Sequence, residues 1–419
     1  VLPRDEHRNE VLVQLSLHLD PEPVRTGLAD FAGRGLMAGG LGAHDAASLR
    51  RILAGARTRL AGPRLAGTRL VFTGSCPPAE LTLLCEQLAA WLRDPGWRAG
   101  GFERARTAWL EQLAATREDL DHRLARQLAR LTDGGYPQFR LAGAAAVRAL
   151  DRDAVRAWLE PILTAAPVEL AIVGDVEAEA ATAAVAATLG RLDQRRPLPV
   201  TPDLTAAGAL APHAPDPVGT WRARIDGTVP RAAVLLSWRT TDAGDVRTAR
   251  RLGLLARALR ELLRRRVREE LGDAYSPSAS HGASTDFAGE GRMRILVTVA
   301  PERAEAVRAL LEELVASVLA DGIPEDVFTQ VHRPAVANLD SYRRGNGYWL
   351  RSVAAQARSQ PQRLDWATHM VEDFRAITRA ELDQLARTYL TADRRLRLVL
   401  VNPSPAPGPE STGAQEAAP

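Results

Sequence analysis

One stretch of this chain is written twice. Ala149-Leu150-Asp151-Arg152 through Leu163-Thr164-Ala165 matches Ala376-Ile377-Thr378-Arg379 through Leu390-Thr391-Ala392, an offset of 227 residues (378 against 151). In each copy a residue with a capping side chain opens an apolar-periodic helix. Asp151 precedes Val155, Leu159, Ile162 and Leu163; Thr378 precedes Leu382, Leu385 and Leu390, with Glu381 completing a capping box. An alternating apolar strand follows each copy, at 168–173 and at 396–401. A chain of 419 residues also exceeds what one core usually holds. The expected fold class is therefore α+β: two homologous domains, each a mainly antiparallel sheet packed with helices. A proline-rich linker at 196–216 separates a first domain over 1–195 from a second over 217–402. The tail, 403–419, is Pro, Gly, Ser, Ala and Glu, which cannot build a core and reads as disordered.

The order of elements on either side of the linker agrees with a duplication. In the first domain, strands are predicted near 11–17 and 68–73, with helices at 23–37, 44–56, 78–93, 101–118 and 120–132. In the second, strands near 232–238, 274–281 and 292–300 accompany helices at 247–271, 302–320 and 324–344. The longest of these helices carries Leu252, Leu255, Leu259, Leu263, Val267 and Leu271 at steps of three and four, one buried face. Gly272 supplies its stop. Arg268 then stands on the last helical turn and Tyr275 seven residues later at the start of a strand, where a guanidinium and a phenol could donate to one oxygen. Taken alone, such an arginine is a solvated cation at a helix C-terminus and such a tyrosine a core aromatic.

Composition narrows the function. The net charge is only +3, and all 54 basic residues are arginine, with no long basic block interleaved with aromatics. Nucleic acid is thus not an expected partner. No run of about 18 uncharged apolar residues exists, so no membrane span is expected. No signal peptide is evident, and the chain opens at Val1 without an initiator methionine, as a segment of something longer would; the compartment is not readable. Cys76 and Cys85 are the only cysteines, too few for a disulfide framework or a cysteine zinc module, and whether they bridge is left open.

No self-contained catalytic motif is present. The eight histidines are His7, His18, His44, His122, His213, His281, His332 and His369; no two lie within five residues, so neither HExxH nor HxxEH exists. Gly74-Ser75-Cys76 lacks the nucleophile-elbow frame. The glycines of Gly33-Arg34-Gly35 and Gly39 miss the dinucleotide spacing and follow a helix, so they read as close helix packing.

The stretch Arg264-Arg265-Arg266-Val267-Arg268-Glu269-Glu270-Leu271-Gly272-Asp273-Ala274-Tyr275-Ser276 resembles the "LREELG-x-AYS" segment of the pitrilysin/insulinase family of zinc metallopeptidases. The resemblance extends over 1–402 and implies that this chain is the non-catalytic C-terminal half of such an enzyme, its two domains forming one half of a clamshell. It implies that Arg268 and Tyr275 are substrate-binding residues reaching toward a catalytic half. Gly27-Leu28-Ala29-Asp30-Phe31-Ala32-Gly33-Arg34 is similar to the family's "GLAHFLEH" helix, with Asp30 and Arg34 where the histidine ligands would stand and Gly33 where the general base would stand. The family's third ligand, a glutamate roughly 75–80 residues later, corresponds to Glu111. Asp30, Gly33, Arg34 and Glu111 would then form a degenerate metal site. On this resemblance no cofactor is bound by this chain, and zinc belongs to a partner HxxEH half, in the same polypeptide or a separate subunit, which hydrolyses unstructured peptides. Asp30 and Arg34 share a helical face at i and i+4. Arg34 is accordingly expected to bridge Asp30 and Glu111 in place of the lost cation. The alternatives are a catalytically inert peptide-binding or scaffold protein of the same fold, and an unrelated duplicated α+β protein.

Overall fold

The computed structural model describes residues 1–4, 6, 8–20, 27–132, 140–200, 217–225, 227, 229–271 and 277–402, with only the backbone of 271. Most of the expected linker and the whole of the tail lie outside these residues.

The chain is α+β, built on two five-stranded sheets of one topology. The first sheet contains β1 (Leu2–Pro3), β2 (Val11–His18), β3 (Arg59–Ala66), β4 (Arg69–Cys76) and β5 (Val168–Gly174) in the order β1-β5-β2-β4-β3. The second contains β6 (Gly219–Arg224), β7 (Arg231–Thr240), β8 (Ser278–Ala283), β9 (Gly291–Val299) and β10 (Arg395–Asn402) in the order β6-β10-β7-β9-β8. Each sheet has one parallel pair, β1 with β5 and β6 with β10; its other ladders are antiparallel.

The helices that cover these sheets or carry candidate residues are α1 (Leu28–Gly39), α2 (Leu81–Arg93), α3 (Ala99–Ala115), α4 (Leu120–Leu131), α5 (Arg152–Ala165), α6 (Val246–Leu271), α7 (Ala304–Asp321), α8 (Glu325–Ala337) and α9 (Arg379–Tyr389). The repeated helices α5 and α9 are capped as their sequences require. Asp151 accepts from the N–H of Ala154 at 2.9 Å, and Thr378 from the N–H of Glu381 at 3.4 Å with the capping box closed.

One face of each sheet packs on its own helices. Val13, Leu15, Phe72, Leu88 and Leu159 share the first core; Leu236, Leu255, Leu263, Ile295, Leu311 and Leu382 share the second. The opposite faces are covered by exchange. Helix α4, from the first half of the chain, lays Leu120, Leu124 and Leu128 on Ala233, Leu235, Leu396, Leu398 and Leu400 of the second sheet. Leu350 and Ala355, from the second half, cover Ala171 and Val173 of the first.

A polar cluster closes the seam between the halves. Glu169, 3% exposed on β5, lies 3.3 Å from His18 Nε2. It accepts from the N–H groups of Arg358 (2.8 Å) and Ser359 (3.3 Å) and from the Ser359 hydroxyl (2.7 Å). Burial pushes the Glu169 carboxyl up, but the bonds from His18, Ser359 and the two N–H groups outweigh it and hold it below the ordinary value. A depressed carboxylate contributes stability that is present above its unfolded-state value and lost as pH falls through its folded one. Glu169→Gln is therefore expected to cost about 2–4 kcal/mol at neutral pH in denaturant unfolding, because it leaves an amide facing three donors. The gap to wild type should close on acidification below about pH 4.5; a gap constant with pH would refute the role of the charge.

Three strands were not expected. Strand β3 is absent from the sequence reading because Gly62 and Pro63 sit inside it; as an edge strand with an irregular register between Ala61 and Arg64, it tolerates both. The short strands β1 and β6 are equally unforeseen. Cys76 and Cys85 are free buried thiols, pushed up to about 12 and about 11, burial being the first cause for each. No helix among the described residues is long and apolar enough to cross a membrane.

Candidate functional site

Helix α6 presents the first group of candidate residues. Its apolar stripe is as the sequence requires: Leu252, Leu255, Leu259, Leu263 and Val267 are all buried. The last two turns are clamped from the sides. Arg265 reaches Glu261 (3.1 Å), Asp326 (2.6 Å) and Gln330 (2.5 Å) on α8; Arg266 reaches Glu270 (3.1 Å) and Glu313 (2.9 Å) on α7. Those ion pairs hold the Asp326 carboxyl below its ordinary value, the bond from Arg265 being the first cause. Arg268 follows directly and is exposed on the final turn. Tyr275, like Gly272, lies outside the described residues. Edge strand β8 begins at Ser278, and α6 packs along it.

The second group lies on α1. Asp30, Gly33 and Arg34 line one cleft of about 690 Å³ between α1, β3 and α3. Gly33 is where β3 crosses the helix: a Cβ there would lie 1.9 Å from the Pro63 carbonyl oxygen. Gly62, reciprocally, would put a Cβ 2.4 Å from Met37. The glycines of this stretch thus serve close packing.

The expected bridge is not formed: Arg34 makes no ion pair with Glu111 or with Asp30, to which it is linked only by longer-range attraction. The Arg34 guanidinium lies 5.1 Å from the Trp109 ring centroid and donates to Gln112 Oε1 at 3.2 Å. Glu111 is exposed and does not line the cleft. Helical geometry explains the correction. Trp109 and Leu113 fix the buried face of α3. Gln112, three residues beyond Trp109, returns to within about 60° of it, whereas Glu111 points about 160° away. Counting residues from Arg34 selected a neighbour on the wrong side of the helix. The spacing Trp109-x-x-Gln112-Leu113 was the signal that could have found the partner.

With Glu111 turned out, the Asp30 carboxyl faces a single cation. Desolvation raises it above the ordinary carboxylate value, against the opposing pull of Arg34. One carboxylate (Asp30) and one imidazole (His122), beside the guanidinium of Arg34 and the amide of Gln112, fall short of the three or four neutral or anionic donors of a zinc site. Among the described residues, no group of three His, Cys, Asp or Glu could hold a metal ion.

Comparison with known proteins bears on the fold. Residues 149–333 match the family described as the peptidase M16 inactive domain. No curated protein matches. Among solved structures, the chain is similar to the peptidase M16 inactive domain from Pseudomonas fluorescens, with 15% identity, 96% of this chain and 95% of that one covered, and a TM-score of 0.76. It is similar to the periplasmic protease PqqL from Escherichia coli (16% identity, 94% of this chain and 43% of that one, TM-score 0.74). It is also similar to the ferredoxin protease FusC, solved as a mutant in complex with Arabidopsis ferredoxin (15% identity, 95% and 43%, TM-score 0.72). At these identities the likeness carries the fold. The chain spans less than half the length of the two proteases.

Proposed function

We propose that this chain, of which residues 149–333 match the peptidase M16 inactive domain, is the non-catalytic C-terminal half of a pitrilysin-type peptidase, and that it closes the peptide chamber of an HxxEH-bearing half and contacts the substrate there. The observation that carries the proposal is the placement of Arg268. Its guanidinium is exposed at the end of α6, on a helical turn that Arg265 and Arg266 tie to α8 and α7, so the backbone that carries it is held in place. The first domain (1–195) and second (217–402), joined by the 196–216 linker, would form one wall of the chamber. The residues at the vacated site do not fit zinc, so the metal would be held by the partner half. Metal-activated hydrolysis would take place there, while Arg268 and Tyr275 would hold the peptide carbonyl near the scissile bond.

Asp30, Gly33 and Arg34 would mark the degenerate counterpart of that centre. Glu111 would be its outward-turned remnant, the partner position on α3 having passed to Gln112.

Reconstitution tests the reading. An HxxEH half alone should cleave an unstructured reporter peptide slowly, and adding this chain should raise kcat/KM at least tenfold. This chain alone should show no activity and no stoichiometric zinc by elemental analysis. A rate indifferent to its addition would favour the inert scaffold instead.

A further inference from the structure

Helix α4 does more than cover the second sheet. Leu120, Leu124 and Leu128 face the sheet, which turns Arg123, Arg126 and Arg130 along an adjoining face at steps of three and four. These three arginines, with Arg224 at the end of β6 and Arg140, line a cleft of about 350 Å³. No aspartate or glutamate is among its described lining residues. Arginines on α6 and α7, by contrast, are paired with carboxylates of α6, α7 and α8. Arg123, Arg126, Arg130 and Arg224 form no ion pair with a described residue, and the Arg123 Nε is buried without a hydrogen-bond partner. Crowding the guanidinium groups of Arg123, Arg126, Arg130 and Arg224 where the described lining holds no carboxylate costs electrostatic energy. A ligand supplying the missing negative charge would recover it.

We propose that this cleft binds an acidic segment of an extended peptide. Three features select that ligand over a lone inorganic anion. From Arg123 to Arg130 the row runs about 10 Å along the helix, long enough for two carboxylates on alternate residues of an extended chain, which recur every 6–7 Å or so. The cleft is also lined by Leu141, Ile225 and Leu400, apolar surface that a phosphate would leave unused and a peptide's side chains would cover. And β6 is an edge strand, paired among the described strands only with β10, so an incoming chain can lie along it. The proposal deepens the reading of this half as a peptide-handling wall, and rests on it for the class of ligand: it assigns a preference for Asp- and Glu-rich stretches away from the reacting bond.

The test is direct binding to the whole chain. Fluorescence anisotropy would follow a labelled dodecapeptide with glutamate at alternate positions, and the same peptide with glutamine there. The acidic peptide should bind saturably and the glutamine peptide at least tenfold more weakly. Arg126→Gln/Arg130→Gln should weaken the acidic peptide at least tenfold with an unchanged thermal melt, while Arg50→Gln, on an unrelated exposed helix, should change nothing. Should the double variant fold poorly, Arg224→Gln, on a different element, should give the same loss. Equal binding of both peptides, or wild-type affinity in these variants, would overturn the proposal. So would pyrophosphate or a single-stranded oligonucleotide binding more tightly than the peptide and being lost in the same variants. Because binding is read on this chain alone, its failure is distinguishable from failure of the reconstituted peptidase.

Discussion

Arg268→Ala should lower kcat/KM of the reconstituted peptidase by roughly 10- to 1,000-fold, the range for losing one donor to a developing oxyanion. Val267 and Leu263 anchor the helix, and the ion pairs of Arg265 and Arg266 to α7 and α8 do not involve residue 268. Denaturant unfolding of Arg268→Ala, measured beside the kinetics, separates a loss of rate from a loss of stability. Arg268→Lys should recover only part of the rate, since an ammonium keeps the charge but not the planar fork. Tyr275→Phe removes a single hydroxyl and should fall within the same roughly 10- to 1,000-fold range if the phenol also donates. Steady-state kinetics on a peptide of known cleavage site measures all three. A wild-type rate for Arg268→Ala would remove the α6 terminus from the chemistry and leave this half as a wall alone.

What the sequence disclosed was whatever a single element encodes by itself. The stripe from Leu252 to Val267 is a period written in one helix, and the caps at Asp151 and Thr378 are local contacts between residues three apart. The equivalence of the two sheets followed, because repeated local signals imply repeated structure. What the sequence withheld was which elements meet. Leu120, Leu124 and Leu128 are plainly an apolar face, yet nothing in their spacing says that it covers the second sheet rather than the first. Strand β3 disappeared for another reason: Gly62 and Pro63 are breakers by propensity, and only its place at a sheet edge makes them permissible. The partner of Arg34 was missed by one residue, and on a helix one residue is about 100° of rotation. The fold class thus rests on many agreeing signals, whereas each site residue rests on one.

Gly33→Ala is expected to be among the most destabilising single-methyl additions in the first half of the chain. The added Cβ would sit 1.9 Å from the Pro63 carbonyl oxygen and 3.0 Å from its carbon. Both are backbone atoms, so no rotamer change relieves the clash. Relief requires moving β3 off α1, and β3 is held by its ladder to β4 on one side and by the reciprocal Gly62–Met37 contact. Overpacking a tight site typically costs 1–3 kcal/mol, and a backbone-to-backbone clash belongs at or above the top of that range, about 3 kcal/mol or more. Gly55→Ala is the control: nothing lies within 4 Å of its Cβ, so it should be close to neutral. Chemical denaturation of the two variants decides the matter, and equal midpoints would show that β3 yields freely. The same contact bears on the proposed degenerate centre. The resemblance aligns Gly33 with the family's glutamate, and β3 occupies the space where such a side chain would begin. Gly33→Glu, even with histidines restored at 30 and 34, should therefore yield a destabilised protein without stoichiometric zinc. The strand that now crosses α1 would have to retreat before any metal site could be rebuilt.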